Sequence, residues 1–295
     1  MHWLSETVIV DQRPSYRFRI VGNRYIPRHA PDPADLRKSD CHVSLVFLHA
    51  NGLFKETFEP VIDYLFKDSI LLRSRSGESL VIDEAWSIEC PNHGQSATLN
   101  ADDIRRECGT NWPFREYSEA VHTFLRAKPG GYDISGTNFV LIGHSFGAAS
   151  IPFIAQIEPK IKIRTVILGD PIASPPSHAT NEVGNLFLNL ALARQDVWAS
   201  RDQARKFFKS DALTKDWPVE SLELLLKYGL VDHPARALLK PLSFNGVTLA
   251  CVREHEAVSR NRDTCDRVHR AQLVYRYLSQ YTEGYSLLAT LSSVH

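Results

Sequence analysis

Residues 138–150 read NFVLIGHSFGAAS, and this stretch decides the fold that we predict. An apolar strand runs into GHSFG at residues 143–147, a G-x-S-x-G motif, and a run of small residues then opens a helix. Such a sharp strand-to-helix turn strains the backbone of Ser145, which only small flanking side chains tolerate. The turn also lifts the serine hydroxyl to the positive end of the helix dipole. We therefore predict that Ser145 is a nucleophile; the alternative is a tight turn that carries an ordinary serine.

The segments on either side of this stretch alternate between strand and helix patterns. The nearly continuous apolar run at residues 43–48 is typical of a strand buried on both faces. Near the N-terminus, Thr7 to Asp11 and Tyr16 to Tyr25 have the composition of an antiparallel hairpin. The other predicted strands are 85–90, 138–142 and 164–169, and the predicted helices are 58–66, 114–125 and 148–156. This alternation predicts an α/β fold with a mostly parallel sheet and helices on both of its faces.

From about residue 174 to residue 240 the strand pattern stops, and amphipathic helical patterns follow one another. The predicted helices of this region are 183–193, 201–208 and 220–228. Beyond it we predict one more strand at 247–252 and a helix at 271–280. The chain is accordingly divided into an N-terminal part of the core (1–173), an inserted helical lid (174–240) and an atypical C-terminal part of the core (241–295).

Composition and charge exclude several classes of function. The 295 residues include 34 Lys+Arg and 34 Asp+Glu, so the chain lacks the positive field that nucleic-acid binding usually requires. The five cysteines are scattered, without C-x-x-C spacing, and no H-E-x-x-H motif occurs, so neither disulfides nor a metal site is indicated. No secretion signal and no apolar run of about 18 residues is found. We expect a small neutral or acyl substrate, no cofactor, no metal, no nucleic acid and no membrane span, and we assign no oligomeric state.

A second motif, HANG at residues 49–52, follows the buried strand at 43–48. In acyl-transfer enzymes of this architecture, an amide N–H at this place pairs with the N–H of the residue after the nucleophile to bind an oxyanion. Ala50 or Asn51 would supply the first donor and Phe146 the second. The alternative is a glycine-containing turn with no catalytic duty.

Several strings resemble a known family. They are LVFLHANGLFKE at 45–56, PNHGQSA at 91–97, the motif around Ser145, DVW at 196–198 and GVTL at 246–249. Over roughly residues 7 to 256 the chain resembles the α/β-hydrolase superfamily, and within it fungal hydrolases of secondary-metabolite clusters, including the AF-toxin and AK-toxin type. The resemblance implies an α/β-hydrolase fold and an esterase-, lipase- or thioesterase-like activity on an acyl or polyketide-derived intermediate. For the toxin group it also implies a peroxisomal address.

A serine nucleophile needs a base, and the chain order in this fold is serine, acid, histidine. Asp170 ends a predicted core strand and is the candidate acid, although most family members carry the acid one strand later; the alternative is an Asp-Pro loop start. His255 is the favoured base, because it directly follows the predicted strand at 247–252 and would then lie at the same sheet edge as Ser145. The other histidines after the nucleophile are His178, His233, His269 and His295.

The C-terminal part departs from the family pattern. The family usually supplies two further strands, with a Gly-rich turn bearing the acid and a final Gly-His, and neither is found in this sequence. We therefore expect an altered C-terminal part that lacks strands of the core. The leading hypothesis is a serine hydrolase that acts on an ester or thioester. The second is a catalytically impaired α/β-hydrolase-fold protein that serves in binding or as a scaffold.

The C-terminal residues and the family resemblance favour different locations in the cell. The final residues 293–295, SVH, begin with a small residue but lack the basic middle and leucine-like end of the S-K-L signal. The sequence alone favours the cytoplasm, and the family resemblance favours the peroxisome.

Overall fold

A six-stranded sheet organises the protein in the computed structural model, which describes residues 1–29, 41–68, 80–109, 111–171 and 178–261. Its strand order is β1-β2-β4-β3-β5-β6. The strands are β1 (Trp3–Val10), β2 (Ile20–Pro27), β3 (Cys41–Leu48), β4 (Leu80–Ile88), β5 (Phe139–His144) and β6 (Thr165–Gly169). β1 and β2 form an antiparallel hairpin, β2 pairs antiparallel with β4, and the remaining pairs are parallel. The predicted α/β-hydrolase fold with a mostly parallel sheet is confirmed.

Alternation along β3 explains why this strand lies inside the sheet. Leu45 and Phe47 belong to one buried cluster, whereas Val46 and Leu48 belong to the other. Successive side chains of a strand point to opposite faces, so a continuous apolar run needs cover on both sides. Helix α1 supplies Ile62 and Phe66 on the first side, and α4 and α5 supply the cover on the second.

The helices fall into two groups along the chain. Those of the core are α1 (Glu59–Asp68), α2 (Gly94–Leu99), α3 (Ala101–Glu107), α4 (Glu116–Arg126) and α5 (Phe146–Ile154). Those that follow the core strands are α6 (His178–Ala193), α7 (Arg201–Ser210), α8 (Val219–Tyr228) and α9 (Arg253–Asn261). The three predicted lid helices correspond to α6, α7 and α8. Among the helices of the described ranges, none combines the length and the apolar character that crossing a bilayer requires.

A second, three-stranded sheet lies in the lid region and corrects one expectation. Its strands are β7 (Val197–Trp198), β8 (Leu230–Asp232) and β9 (Val247–Leu249), in the order β7-β9-β8 and all antiparallel. The strand predicted at 247–252 is therefore shorter, and it does not join the core sheet. Val247 is instead buried with Trp198 and Leu230 in a cluster of the lid.

This pairing removes the premise that placed His255 at the edge of the core sheet. Within the described ranges the core sheet ends at β6, and His255 lies on helix α9. The boundaries 1–173, 174–240 and 241–295 stay a prediction, although β9, assigned there to the core, pairs with strands of the lid. The helix predicted at 271–280, the candidates His269 and His295 and the terminal residues 293–295 lie outside the described residues.

Gly147 tests the packing of α5 on β3. A Cβ added to Gly147 would lie 2.6 Å from the carbonyl carbon of Leu48, and both groups are backbone. We expect Gly147→Ala to lower the free energy of unfolding by about 3 kcal/mol through overpacking, and Gly147→Val to yield no folded protein. Gly131→Ala is the control: its φ is 87° but nothing lies within 4 Å of the added Cβ, so only backbone strain of about 1 kcal/mol is expected. Chemical denaturation measures both losses, and equal losses would contradict the close contact.

Candidate active site

Ser145 lies at a sharp turn between β5 and α5. Its φ of 52° and ψ of −109° are a conformation that side chains other than glycine rarely adopt. The turn is held by two hydrogen bonds: the Ser145 N–H donates to the Gly169 carbonyl at 2.8 Å, and the Ala149 N–H donates to the Ser145 carbonyl at 2.9 Å. A Cβ on Gly143 would lie 2.5 Å from the Cα of Ala148, so the strand and the helix approach each other at backbone distance. This is the strained strand-to-helix turn that the motif predicts.

The HANG turn lies next to the turn that carries Ser145, because β3 and β5 are parallel neighbours with Leu48 opposite Gly143. At the start of α5, the Phe146 N–H precedes the first intrahelical bond and is one of the amides that a helix leaves without an internal acceptor. The Gly52 N–H is already used, since it donates to Nε2 of His93 at 2.9 Å. The amides of Ala50 and Asn51 therefore stay the predicted donors of this turn, together with Phe146.

Two buried histidines support the turn and are neutral. Nδ1 of His93 lies 2.6 Å from the amide oxygen of Asn92, which can only accept, so His93 carries its proton on Nδ1 and accepts on Nε2. In the same way, Nδ1 of His49 donates to the Ala50 carbonyl at 2.8 Å, and its Nε2 accepts from the Cys90 N–H at 3.0 Å. Burial lowers the pKa of His49 to about 4 and the pKa of His93 well below its usual value. Each ring therefore donates from Nδ1 and accepts on Nε2 in a fixed direction.

Asp170 directly follows β6 and has a φ of 44°. It is the residue after Gly169, whose carbonyl holds the Ser145 amide. Burial lowers the pKa of His144, and the nearby Asp170 charge opposes that shift. The candidate acid is thus at the carboxyl end of the strand beside the nucleophile, and its charge acts on His144.

His255 is buried on α9, with 7% of its surface exposed. Its Nε2–H donates to the Gly109 carbonyl at 2.7 Å, which leaves the lone pair on Nδ1. Within the described part of the chain, Nδ1 has no hydrogen-bond partner. Among the described residues, no hydrogen bond or ion pair joins His255 to Ser145 or to Asp170.

Helix α9 is nevertheless tied to the HANG turn. The side-chain Nδ2 of Asn51 donates to the Glu256 carbonyl at 2.8 Å. Arg194 at the end of α6 forms an ion pair with the Glu256 carboxylate, and α6 packs along α9. The tie brings the element that carries His255 to the candidate oxyanion turn, although the two segments are about 200 residues apart in sequence.

The two lid histidines have other partners. Nδ1 of His178 lies 3.7 Å from the Glu182 carboxylate, and the ring is largely exposed. His233 accepts from the Ala235 N–H at 3.1 Å and caps a short 3-10 helix. Neither ring is buried, as the His255 ring is.

An apolar cavity of about 860 Å³ lies between α2, α3, the small sheet and α9. Its wall includes His255, Asn92, Ile104, Leu249 and Cys251. The side-chain nitrogen Nδ2 of Asn92 is buried there and has no acceptor among the described residues. Sequence reasoning did not single out Asn92, and its position in PNHGQSA was the available signal. Within the ranges described, no cluster of three or more His, Cys, Asp and Glu side chains forms a metal site.

Known proteins match this chain in sequence over most of its length. The family model described as the alpha/beta hydrolase family matches residues 45–280. The type I acyl-CoA thioesterase mpaH of Penicillium roqueforti (strain FM164) is 28% identical over 216 residues, which are 72% of this chain and 44% of that protein. Its namesake in Penicillium brevicompactum is 28% identical over 213 residues, 71% of this chain and 44% of that protein. The chain thus spans less than half the length of the curated relatives that it matches.

Solved structures show the same fold. The peroxisomal alpha-beta-hydrolase Lpx1 of Saccharomyces cerevisiae superposes with a TM-score of 0.66 at 18% identity, covering 93% of this chain and 71% of that one. The thioesterase domain from the curacin biosynthetic pathway superposes with a TM-score of 0.55 at 14% identity, covering 92% of this chain and 79% of that one. At these identities the likeness concerns the fold alone. From the extent of the family match, the chain belongs to the alpha/beta hydrolase family.

Proposed function

We propose that the protein is a serine hydrolase that cleaves an ester or thioester of an acyl or polyketide-derived intermediate through Ser145. The observation that carries this proposal is the backbone of Ser145, held at positive φ between β5 and the first residue of α5. Backbone strain of this kind costs energy and is concentrated at functional sites. The thioesterase names of the relatives, which are fungal proteins, support the same class of reaction.

The reaction follows the usual course of acyl transfer to serine. The hydroxyl oxygen of Ser145 attacks the acyl carbon while a base takes the hydroxyl proton. The amides of Phe146 and of Ala50 or Asn51 donate to the oxyanion of the tetrahedral intermediate. The carbon–oxygen or carbon–sulfur bond then breaks, and the proton leaves with the alcohol or thiol. Water attacks the acyl-enzyme, which releases a carboxylic acid and restores the serine.

His255 is the proposed base, with its Nδ1 as the accepting atom. The bond from Nε2–H to the Gly109 carbonyl fixes the tautomer, and a fixed tautomer with a buried lone pair suits a general base. Asp170 is the proposed acid, because it follows the strand beside the nucleophile. The apolar cavity that His255 borders is the proposed place of the acyl group.

A second candidate function is a non-catalytic binding or scaffold protein. Two observations on the described residues favour it: no hydrogen bond joins His255 to Ser145, and the core sheet ends at β6. Such a protein would keep the fold and the cavities but would not turn over an ester.

The setting of the reaction is part of the proposal. Fungal secondary metabolism, including toxin biosynthesis, is favoured by the sequence resemblance and by the relatives. A peroxisomal location is favoured by that resemblance, and Lpx1 is named as a peroxisomal protein. Imaging of a fusion with a free C-terminus tests the location: diffuse fluorescence would contradict it.

Ser145→Ala should remove hydrolysis of an acyl thioester by more than about 10³-fold, because the nucleophile is lost. The melting temperature should stay close to that of the wild type, since Ala keeps the Cβ and removes only the hydroxyl. A fluorophosphonate probe should label the wild type and not this variant. Ser135→Ala is the control: its hydroxyl donates to Asp133 at the surface, so labelling should persist. A folded wild type that is not labelled would favour the scaffold protein.

His255→Ala and Asp170→Asn should each reduce turnover steeply if the two residues complete the site with Ser145. The double variant should then lose little more than the worse single variant, because residues that act as a unit are not additive. His178→Ala is the control, since that ring is exposed in the lid. Full turnover in folded His255→Ala would eliminate His255 as the base. If the loss in the double variant equals the product of the two single losses, Asp170 and His255 do not act as a unit.

A further inference from the structure

A second large cavity, of about 940 Å³, lies between the core and the lid helix α8. Its walls come from β1, the segment that begins at Lys55, α1 and α8. Five acidic side chains line it: Glu56, Glu59, Asp63, Glu220 and Glu223. Lys55 and Lys227 line it with them, Asp63 is paired with the Met1 ammonium and Glu223 with Arg205, and none of the candidate catalytic residues is among its described lining residues.

Lys55 is buried, and its ammonium group forms ion pairs with two carboxylates. Its Nζ lies 2.8 Å from Oε1 of Glu56 and 3.6 Å from Oε1 of Glu89. Only 2% of the Lys55 side chain is exposed, and Glu89 is fully buried. A buried charge is costly unless it is paired, and here one ammonium faces two carboxylates.

Glu59 adds a further buried carboxyl group. Its Oε1 accepts from the Tyr25 hydroxyl at 3.2 Å. Burial, followed by the charge of Glu56, raises the pKa of Glu59 to about 7. The same two causes raise the pKa of Glu89, against the opposing charge of Lys55. The cluster thus has more negative groups than the lysine balances, and a further cation would relieve their repulsion.

Two buried polar atoms of the cavity wall also lack partners. Oε1 of Glu56 accepts from Lys55 and from Asn23, but its Oε2 has no donor within the described part of the chain. Glu56 is 3% exposed, so an unmet oxygen there carries a desolvation cost. The indole nitrogen of Trp3, on the same cavity, is buried without an acceptor among those residues. The Glu56 oxygen needs a ligand that donates a hydrogen bond, and the Trp3 ring offers an aromatic surface beside it.

We propose that this cavity binds a small organic ammonium ion whose N–H groups donate to Oε2 of Glu56 and to the carboxylate of Glu59. The apolar body of the ligand packs against Trp3 and Leu224, which line the same space. The side chains of Glu220 and Glu223 lie on the α8 wall, so the ligand joins the core to the lid. A metal ion is a poorer fit, because the described residues form no cluster of metal-ligating groups.

Lys227 is a cation of the protein itself that competes for Glu56 and Glu59. Its Nζ lies 4.6 Å from the centre of the Tyr228 ring, and its charge acts on Glu59 and Glu56. The side chain is exposed, so it lies at the rim of the cavity rather than within it. Removal of this charge should therefore strengthen the binding of an ammonium ion.

Calorimetric titration of the full chain tests the proposal with two probes of nearly equal shape. 3-Phenylpropylammonium should bind at neutral pH, and 3-phenylpropanol should bind at least about 10-fold more weakly. Glu59→Gln keeps the side-chain volume and should weaken binding of the ammonium probe by about 10-fold, whereas Lys227→Ala should strengthen its binding. Glu158→Gln is the matched control, because Glu158 is exposed and pairs with Lys160.

Equal affinity for the two probes, or undiminished ammonium binding in folded Glu59→Gln, would overturn the proposal. If Glu59→Gln fails to fold, as judged by its melting curve, the comparison of the two probes on the wild type decides. Ser145→Ala should bind the ammonium probe as the wild type does. The result is therefore independent of whether the protein hydrolyses esters.

Discussion

The close approach of α5 to the end of β3 is the constraint on which the candidate site depends. Gly147 packs its Cα against the Leu48 carbonyl group, at a distance that leaves no room for a Cβ. This contact sets the first turn of α5 against the end of β3, where the HANG turn begins. The strained backbone of Ser145 is the cost, and the bond from its N–H to the Gly169 carbonyl offsets part of it.

A layer of buried, neutral polar groups holds the HANG turn at the ends of β3 and β4. The Tyr117 hydroxyl donates to the Ile88 carbonyl at 2.8 Å and accepts from the His49 N–H at 3.0 Å, so it joins the ends of β3 and β4. His49 and His93 then hold the amides of Cys90 and Gly52. Because burial lowers the pKa of both rings, the layer stays uncharged at neutral pH and its hydrogen-bond directions do not change.

The lid region encloses two cavities of opposite character. The first borders His255 and is mostly apolar, which suits an acyl chain. The second is lined by carboxylates around the buried Lys55, which suits a cation. The second therefore has a ligand chemistry of its own, and both cavities have walls on the region between α6 and α9.

The sequence by itself determined the elements whose signals are local. Alternating burial on β3, the small residues around Ser145 and the helical periodicity of the lid could each be read within a window of about 10–18 residues. Tertiary structure alone decided which segments pair: β9 joins β7 and β8, the His255 ring meets Gly109, and Lys55 meets Glu89. These contacts depend on burial and charge balance between distant segments, and periodicity carries no information about partners far along the chain.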